Sequence, residues 1–292
     1  MKTLIQNYAS GFSTEPMYFS ECLNQCGLES HLWSDTNISA FDMFDATGPD
    51  VFISHYRFLT HDIIKYLNQN KNIQLVLNVT GATPQEVVSI EKVIDDNSLS
   101  SPFAFTNMYD FTHNTKTKNI KLVNILPCAD LFLPVLPTPE FNVKLGVVGT
   151  SKNSLVDTVT RNKEVYHLLS LGKDNDEFDL TVDIRAMMAF YGRYDEITLV
   201  DDVNIVSSQI LFDATLRANK VSIRVAEEQQ ETLDKILATL FHTVDDSEDI
   251  GEIVREQIKR KHTCFNRTAR LTRLLKNESA SRALQAISEK LS

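Results

Sequence analysis

Short apolar runs alternate with helical stretches along most of this chain, and that alternation constrains the fold more than any other feature. TLIQNY (3–8), HLWS (31–34), PDVFISHY (49–56), IQLVLNV (73–79), FAFTN (103–107) and KLVNIL (121–126) read as strands. Between them, Glu15 to Cys26, THDIIKYLNQN (60–70) and TPQEVVSIEKVIDD (83–96) read as helices, with Thr60 as an N-cap and Pro84 at a first helical position. IQLVLNV is almost continuously apolar, as in a strand covered on both faces. Strands alternating with helices at this spacing build βαβ units on a parallel sheet.

The pattern breaks at LPCADLFLPVLPTPE (126–140), which holds four of the eight prolines. Proline restricts itself and its predecessor to extended backbone, so this segment reads as a last strand, LFLP, followed by an interdomain linker. The alternation then restarts. VKLGVVG (143–149), FDLTVD (178–183), EITLVDD (196–202) and KVSIRV (220–225) read as strands. IRAMMAFYGRY (184–194), Ser207 to Asn219 and QQETLDKILATLF (229–241) read as helices, and TRNKEVYHLLSLG fits either state. The expectation is an α/β protein of two Rossmann-like doubly wound domains facing a cleft. Its parts are an N-terminal domain over 1–136, a second domain over 137–254 and a basic helical tail over 255–292. Such sheets bind ligands at the carboxyl ends of their strands, and a cleft between two of them is a favoured ligand site.

Charge is divided unevenly. Residues 255–292 hold ten Lys plus Arg against three Glu, a charge of +7, so the other 254 residues carry −17 of the net −10. An acidic body repels nucleic acid while a local basic patch can still bind phosphate. No apolar run approaches the ~20 residues that cross a bilayer, and MKTLIQNYASGFS lacks the apolar region of a secretory signal. The expected setting is therefore the cytoplasm, the host's if the chain is viral, without membrane association. The four cysteines lack partners at metal-ligand spacing and are expected as reduced thiols.

Three segments carry a family resemblance: AFYGRYDEITL, VSSQILFDATLRANKV and KHTCFNRTARLTRLL. They resemble glycosyltransferases of the GT-B fold, and in particular the CgeB-like group, over roughly residues 143–275. That group has a helix of the type S-x-R-x-F-E-A-x-A-x-G and a later H-T-Y-x-x-R. Here the helix reads Ser208-Gln209-Ile210-Leu211-Phe212-Asp213-Ala214 and the later segment His262-Thr263-Cys264-Phe265-Asn266-Arg267. Asp213 replaces Glu, Ile210 replaces Arg, Ala218 and Asn219 stand around the usual Gly, and Cys264 replaces Tyr. The resemblance implies transfer of a sugar from a nucleotide diphosphate sugar, the donor substrate, to an acceptor hydroxyl, with no separate cofactor. It also implies that the helix aims its N-terminus at the donor diphosphate, where free amides favour an anion. Ser207 and Ser208 would supply hydroxyls there, and Asp213 would accept hydrogen bonds from the ribose. A solvated helical aspartate is the plainer alternative.

Other candidates follow from position. The Gly149-Thr150-Ser151 turn ends the first strand of the second half, where backbone and hydroxyls can approach a phosphate. Neither a P-loop nor a dinucleotide fingerprint is present. Arg185 is a candidate for diphosphate charge, together with Arg161 and Arg193. Asp201-Asp202 and Asp174-x-Asp176 do not form a metal motif between apolar strands, so no metal is expected. In the first half His55 ends a strand and is a candidate general base, with Asp110 and His113 as rivals and a structural histidine as the alternative. The acceptor reads as a hydroxymethylated pyrimidine in phage DNA, reached through the basic C-terminal tail, or as a polysaccharide or protein. A non-catalytic nucleotide-sugar-binding module is the rival from another class.

Overall fold

A computed structural model describes residues 1–8, 14–35, 37–107, 117–132, 145–149, 153–161, 166–171, 180–182, 191–203, 208–241 and 252–291. The chain divides into two compact units. One comprises Met1–Ala9, Glu15–Leu126 and Phe265–Ile287, and the other Ser10–Thr14, Pro127–Cys264 and Ser288–Ser292.

The first unit holds a six-stranded parallel sheet of β1 (Lys2–Gln6), β2 (Glu29–Trp33), β3 (Val51–His55), β4 (Gln74–Asn78), β5 (Phe103–Thr106) and β6 (Leu122–Asn124). Its order is β2-β1-β3-β4-β5-β6. The chain goes to one side of β1 to lay down β2 and then crosses to the other side for β3. The topological switch point therefore lies at the carboxyl ends of β1 and β3. Both faces of the sheet are covered, as the apolar runs require. Leu4, Phe52, Leu75 and Leu77 pack in one core with Phe44, Ile63, Leu67 and Val87. Their neighbours Ile5, Ile53, Val76 and Phe105 are fully buried as well.

Local chemistry sets the helix ends. Thr83 and Glu86 form a reciprocal capping box ahead of Pro84–Asp96, and Thr60 caps His61–Gln69. The sequence reading passes over the helix Ala40–Thr47. Ser39 starts it by accepting from Asp42 N at 3.1 Å, and Gly48 ends it at φ 53°. Those caps are its signal, and its eight residues are too few for a clear period.

The second unit holds a five-stranded parallel sheet of β7 (Leu145–Gly149), β8 (Tyr166–Leu171), β9 (Leu180–Val182), β10 (Glu196–Val200) and β11 (Lys220–Arg224), in the order β11-β10-β7-β8-β9. Counted from β7, this is the Rossmann order 3-2-1-4-5 read from the β9 edge, with the switch point between β7 and β10. Two Rossmann-like α/β units are thus present. The ambiguous TRNKEVYHLLSLG run contributes β8, and the polar stretch before it hides the helix Ser154–Thr160. Of the expected helix over 184–194, residues 191–193 form one turn of 3-10 helix and 194 follows it, while 184–190 lie outside the described residues.

Gly146 shows how closely this sheet is covered. A Cβ there would sit 2.8 Å from Ile197 Cδ1 and 3.2 Å from both Leu169 Cδ1 and Tyr194 Cδ2. Gly146→Ala is expected to cost about 1–3 kcal/mol through overpacking, read as a lower urea midpoint. A midpoint equal to that of the parent would show that the three side chains yield freely.

The division of the chain differs from the expected boundaries in two respects. First, the units part at Leu126 and Pro127, not at residue 136. Leu131 and Phe132 lie in a turn, not in a last strand LFLP. Just before them Ala129 makes an isolated parallel bridge with Thr263, through Ala129 N to His262 O and Cys264 N to Ala129 O, both 2.9 Å. Second, the basic residues 255–292 are not a separate tail. The helix Glu252–Lys261 belongs to the second unit, while residues 265–287, spanning most of Cys264–Leu274 and Glu278–Leu291, belong to the first. Leu271 and Leu284 are fully buried, with Ala269 and Ala280 nearly so. A helix with such a stripe must pack it, whatever the charge on its other face.

Candidate functional site

In the second unit, β10 leads toward the helix Gln209–Arg217, whose N-cap Ser208 has extended backbone and makes no side-chain cap bond. Asp213 lies one turn in and is fully buried. Its Oδ1 accepts from Asp130 N at 3.0 Å, and its Oδ2 from Gln209 Nε2 at 3.1 Å. Arg217 Nε stands 3.9 Å from Oδ1, and Arg217 Nη2 donates to Asp130 O at 3.0 Å. Gln209 Nε2 also donates to Thr14 Oγ1 at 2.8 Å, Gln209 Oε1 accepts from Thr14 N at 2.9 Å, and Thr14 Oγ1 donates to Asp130 Oδ2 at 2.7 Å. The result is a closed polar network that ties the helix to two distant pieces of chain. Burial pushes the Asp213 carboxyl up to about 8, against the pull of Arg217 and with added repulsion from Asp130.

The apolar side of the same helix is clamped by rings. Phe212 lies 5.4 Å from the His262 ring and 6.0 Å from Phe241. At its C-terminus Arg255 donates to Thr215 O at 3.1 Å and Ala218 O at 2.7 Å, satisfying carbonyls that the helix leaves open. His262 and Thr263, quoted above as part of a motif, therefore do structural work. In the first unit Arg267 Nε donates to Leu126 O at 2.7 Å. Arg255 and Arg267 thus turn guanidinium N–H groups inward, while Arg260, Lys261, Arg270 and Arg273 are exposed.

The expected residues fall as follows. Gly149 is the last residue of β7, level with Ser170 of β8, and so ends the central strand at the switch point. Ser208 and Asp213 share one helix, with Asp213 facing the interior and not solvent. Thr150, Ser151, Arg185, Ser207, Asp110 and His113 lie outside the described residues. His55 ends β3, with Nε2 3.0 Å from Thr80 O and Nδ1 accepting from Arg57 N at 3.3 Å. Those bonds define the neutral tautomer with the proton on Nε2. Burial, aided by the Arg57 charge, lowers its pKa.

Sequence reasoning missed Thr14, Asp130, Gln209 and Arg217, which complete the network around Asp213. Only the i, i+4 spacing of Gln209, Asp213 and Arg217 offered a signal. It also missed a buried cluster in the first unit, where Glu15 accepts from Tyr8 Oη at 2.9 Å and Asn78 Nδ2 at 2.6 Å on the same oxygen. Burial raises the Glu15 carboxyl to about 7, against both hydrogen bonds. All four cysteines are free thiols, with Cys22, Cys128 and Cys264 buried. No described helix is long and apolar enough to cross a membrane.

No protein-family model matches the chain, and no curated protein matches it. Among solved structures it is similar to the calicheamicin glycosyltransferase CalG4, at 9% identity and a TM-score of 0.37, over 99% of this chain and 98% of that one. It is also similar to Arabidopsis thaliana UGT89C1 complexed with UDP, at 9% identity and a TM-score of 0.45, over 99% of this chain and 94% of that one. A third likeness is to a protein assigned as a UDP-N-acetylglucosamine 2-epimerase from Listeria monocytogenes, at 10% identity and a TM-score of 0.44, over 98% of this chain and 91% of that one. At these scores and identities the likenesses decide neither activity nor substrate, and the fold rests on the strand orders given above.

Proposed function

We propose that the chain is a glycosyltransferase that takes a sugar from a nucleotide diphosphate donor held by the second unit. The observation that carries this reading is the strand order β11-β10-β7-β8-β9. It sets the end of β7 at Gly149 and the loop after β10 on either side of the crevice where open α/β sheets bind nucleotides. The resemblance of the Ser208–Ala214 helix to the CgeB-like group points the same way. In this reading amides near Gly149, Thr150 and Ser151 and the hydroxyls of Ser207 and Ser208 receive the diphosphate, with Arg185 supplying charge. The acceptor oxygen attacks the anomeric carbon, the nucleotide diphosphate departs, and a base takes the acceptor proton. His55, Asp110 and His113 are the candidate bases. Asp213 serves as a positioning residue, because both its oxygens already accept from protein donors and it holds the helix that meets the diphosphate.

A thermal-shift screen of the full chain against nucleoside diphosphates and their sugars tests the reading. At about 100 times Kd the right nucleotide adds about 2.7 kcal/mol. For a chain of this size that is a midpoint rise of several degrees. A flat response to every base and sugar would defeat the donor assignment.

A non-catalytic nucleotide-sugar-binding module is the second reading, and one observation favours it. Ile210 is 1% exposed where the resembled group has Arg, so a cation that would serve as a phosphate or structural contact is replaced there by an apolar side chain. Stabilisation by a donor without hydrolysis or transfer would decide for the module. For the acceptor, the exposed Arg260, Lys261, Arg270 and Arg273 support DNA, whereas the inward-turned Arg255 and Arg267 reduce the charge available to phosphate. Binding to duplex DNA that weakens steeply with salt would support it.

A further inference from the structure

The first unit contains a cavity of about 320 Å³ at the carboxyl ends of its strands. Its floor is the end of β1 and β2, at Gln6, Asn7 and Trp33, beside the switch point between β1 and β3. Asn7 N donates to Trp33 O at 2.8 Å and Asn7 Nδ2 to Ser34 Oγ at 3.2 Å, which fixes this rim. Phe58 and Ile38 line it while remaining 46% and 40% exposed, so two large apolar side chains border a concavity without being covered. The volume sits at the lower end of small-molecule sites, roughly 300–1,000 Å³.

Its charge is one-sided. The described lining includes the exposed carboxylates Asp35 and Asp62 and no Lys, Arg or His. Two helices begin at the cavity, capped by Ser39 and Thr60, and helix N-termini favour anions. Here that attraction is answered from within. Ser39 and Thr60 accept first-turn amides, and Asp42 and Asp62 place carboxylates in the two first turns. A phosphate entering would meet carboxylates with no Lys, Arg or His among the described lining residues to offset them. A neutral ring bearing hydroxyls would meet acceptors for its O–H groups at Asp35 and Asp62, the Asn7 amide, and an aromatic face at Phe58 for its C–H side.

We propose that this cavity binds a neutral saccharide unit and rejects phosphorylated ligands, which makes a sugar hydroxyl, and not a DNA base, the acceptor of the transfer. The last clause rests on the transferase reading, but the cavity's ligand class does not.

Saturation-transfer NMR of the full chain with maltose, cellobiose and lactose, and with glucose 6-phosphate and duplex DNA, tests it. At least one neutral disaccharide is expected to receive saturation, with Phe58→Ala weakening it about tenfold or more, a loss equivalent to a lost aromatic contact. Glucose 6-phosphate should bind only to the Asp35→Asn, Asp62→Asn double variant. These exposed positions leave folding intact, which circular dichroism verifies. No transfer to any of the three disaccharides, phosphosugar binding to the parent, or saccharide binding indifferent to Phe58→Ala would each overturn the proposal. Nucleotide binding without saccharide binding would overturn it and leave the donor reading standing. Phe58-dependent saccharide binding with no nucleotide response would do the reverse.

Discussion

Asp213→Ala is expected to destabilise the second unit by about 2–5 kcal/mol, because buried donors left without an acceptor cost about 1–3 kcal/mol each. The truncation strands Asp130 N and one of the two Gln209 Nε2 hydrogens, both of which point at a site sealed from water, and it takes away the carboxyl that lies 3.9 Å from Arg217 Nε. A small cavity adds to the loss. Gln209→Ala breaks the links to Thr14 and Asp213 without orphaning a charge, so about 1–3 kcal/mol is expected. Urea unfolding followed by circular dichroism ranks the two. Hydrogen exchange locates the damage, which should appear as lost amide protection across Gln209–Arg217. An Asp213→Ala midpoint matching the parent's would mean that the network holds nothing. The positioning role makes a separate demand. At a temperature where the variant remains folded, affinity for the stabilising nucleotide diphosphate should fall at least tenfold, because the helix N-terminus is no longer held. Asp213→Asn, which keeps the size and one acceptor, should restore much of it.

That network also marks where the sequence stopped being informative. The strands were legible because their apolar runs are governed by burial on both faces, a condition written residue by residue. IQLVLNV is the clearest instance. Helices with strong caps, at Thr60 and Thr83, were legible for the same local reason. Asp213 stood out because a carboxylate inside an apolar helix needs a partner, and Gln209 and Arg217 lie one turn away on either side. What could not be read was the partner from afar. Thr14 and Asp130 reach the helix over separations of 195 and 83 residues, and no period or spacing encodes a contact between loops. The C-terminal helices failed differently. Ten basic residues drew attention to charge, while the buried stripe of Ala269, Leu271, Ala280 and Leu284 decides where those helices belong. The cavity beside Asn7 and Phe58 left no motif, since its residues come from the ends of three separate strand–helix junctions.

Stability should be greatest near pH 4 and fall from there to about pH 8, and the sign comes from two buried acids. Burial raises Glu15 to about 7 and Asp213 to about 8. Between the unfolded pKa, near 4 for both, and those values, the native state keeps protons that the unfolded chain has released. The unfolded state then binds fewer protons, so unfolding free energy declines with rising pH and levels off above the folded pKa. For Glu15, 2% exposed, the loss is on the order of 3 kcal/mol by pH 8. Asp213 acts in the same direction, with Arg217 and two N–H donors limiting its share. On the acid side Glu91 has the opposite sign. Burial pushes its carboxyl up, but the backbone N–H groups of Asn119, Ile120 and Lys118 at 2.5, 3.2 and 2.7 Å more than reverse that and hold it below its ordinary value. Its contribution is present above the unfolded pKa and disappears as pH falls through the folded one. Urea midpoints of the parent at half-unit intervals from pH 3.5 to 9 give the curve, with the range chosen to span about one pKa on each side. Glu15→Gln should flatten the descent between pH 4.5 and 7, and Asp213→Asn should flatten it up to about 8. If the alkaline slope persists unchanged in both variants, neither carboxyl is held protonated by its burial, and the network around Asp213 is an ordinary ion pair with Arg217.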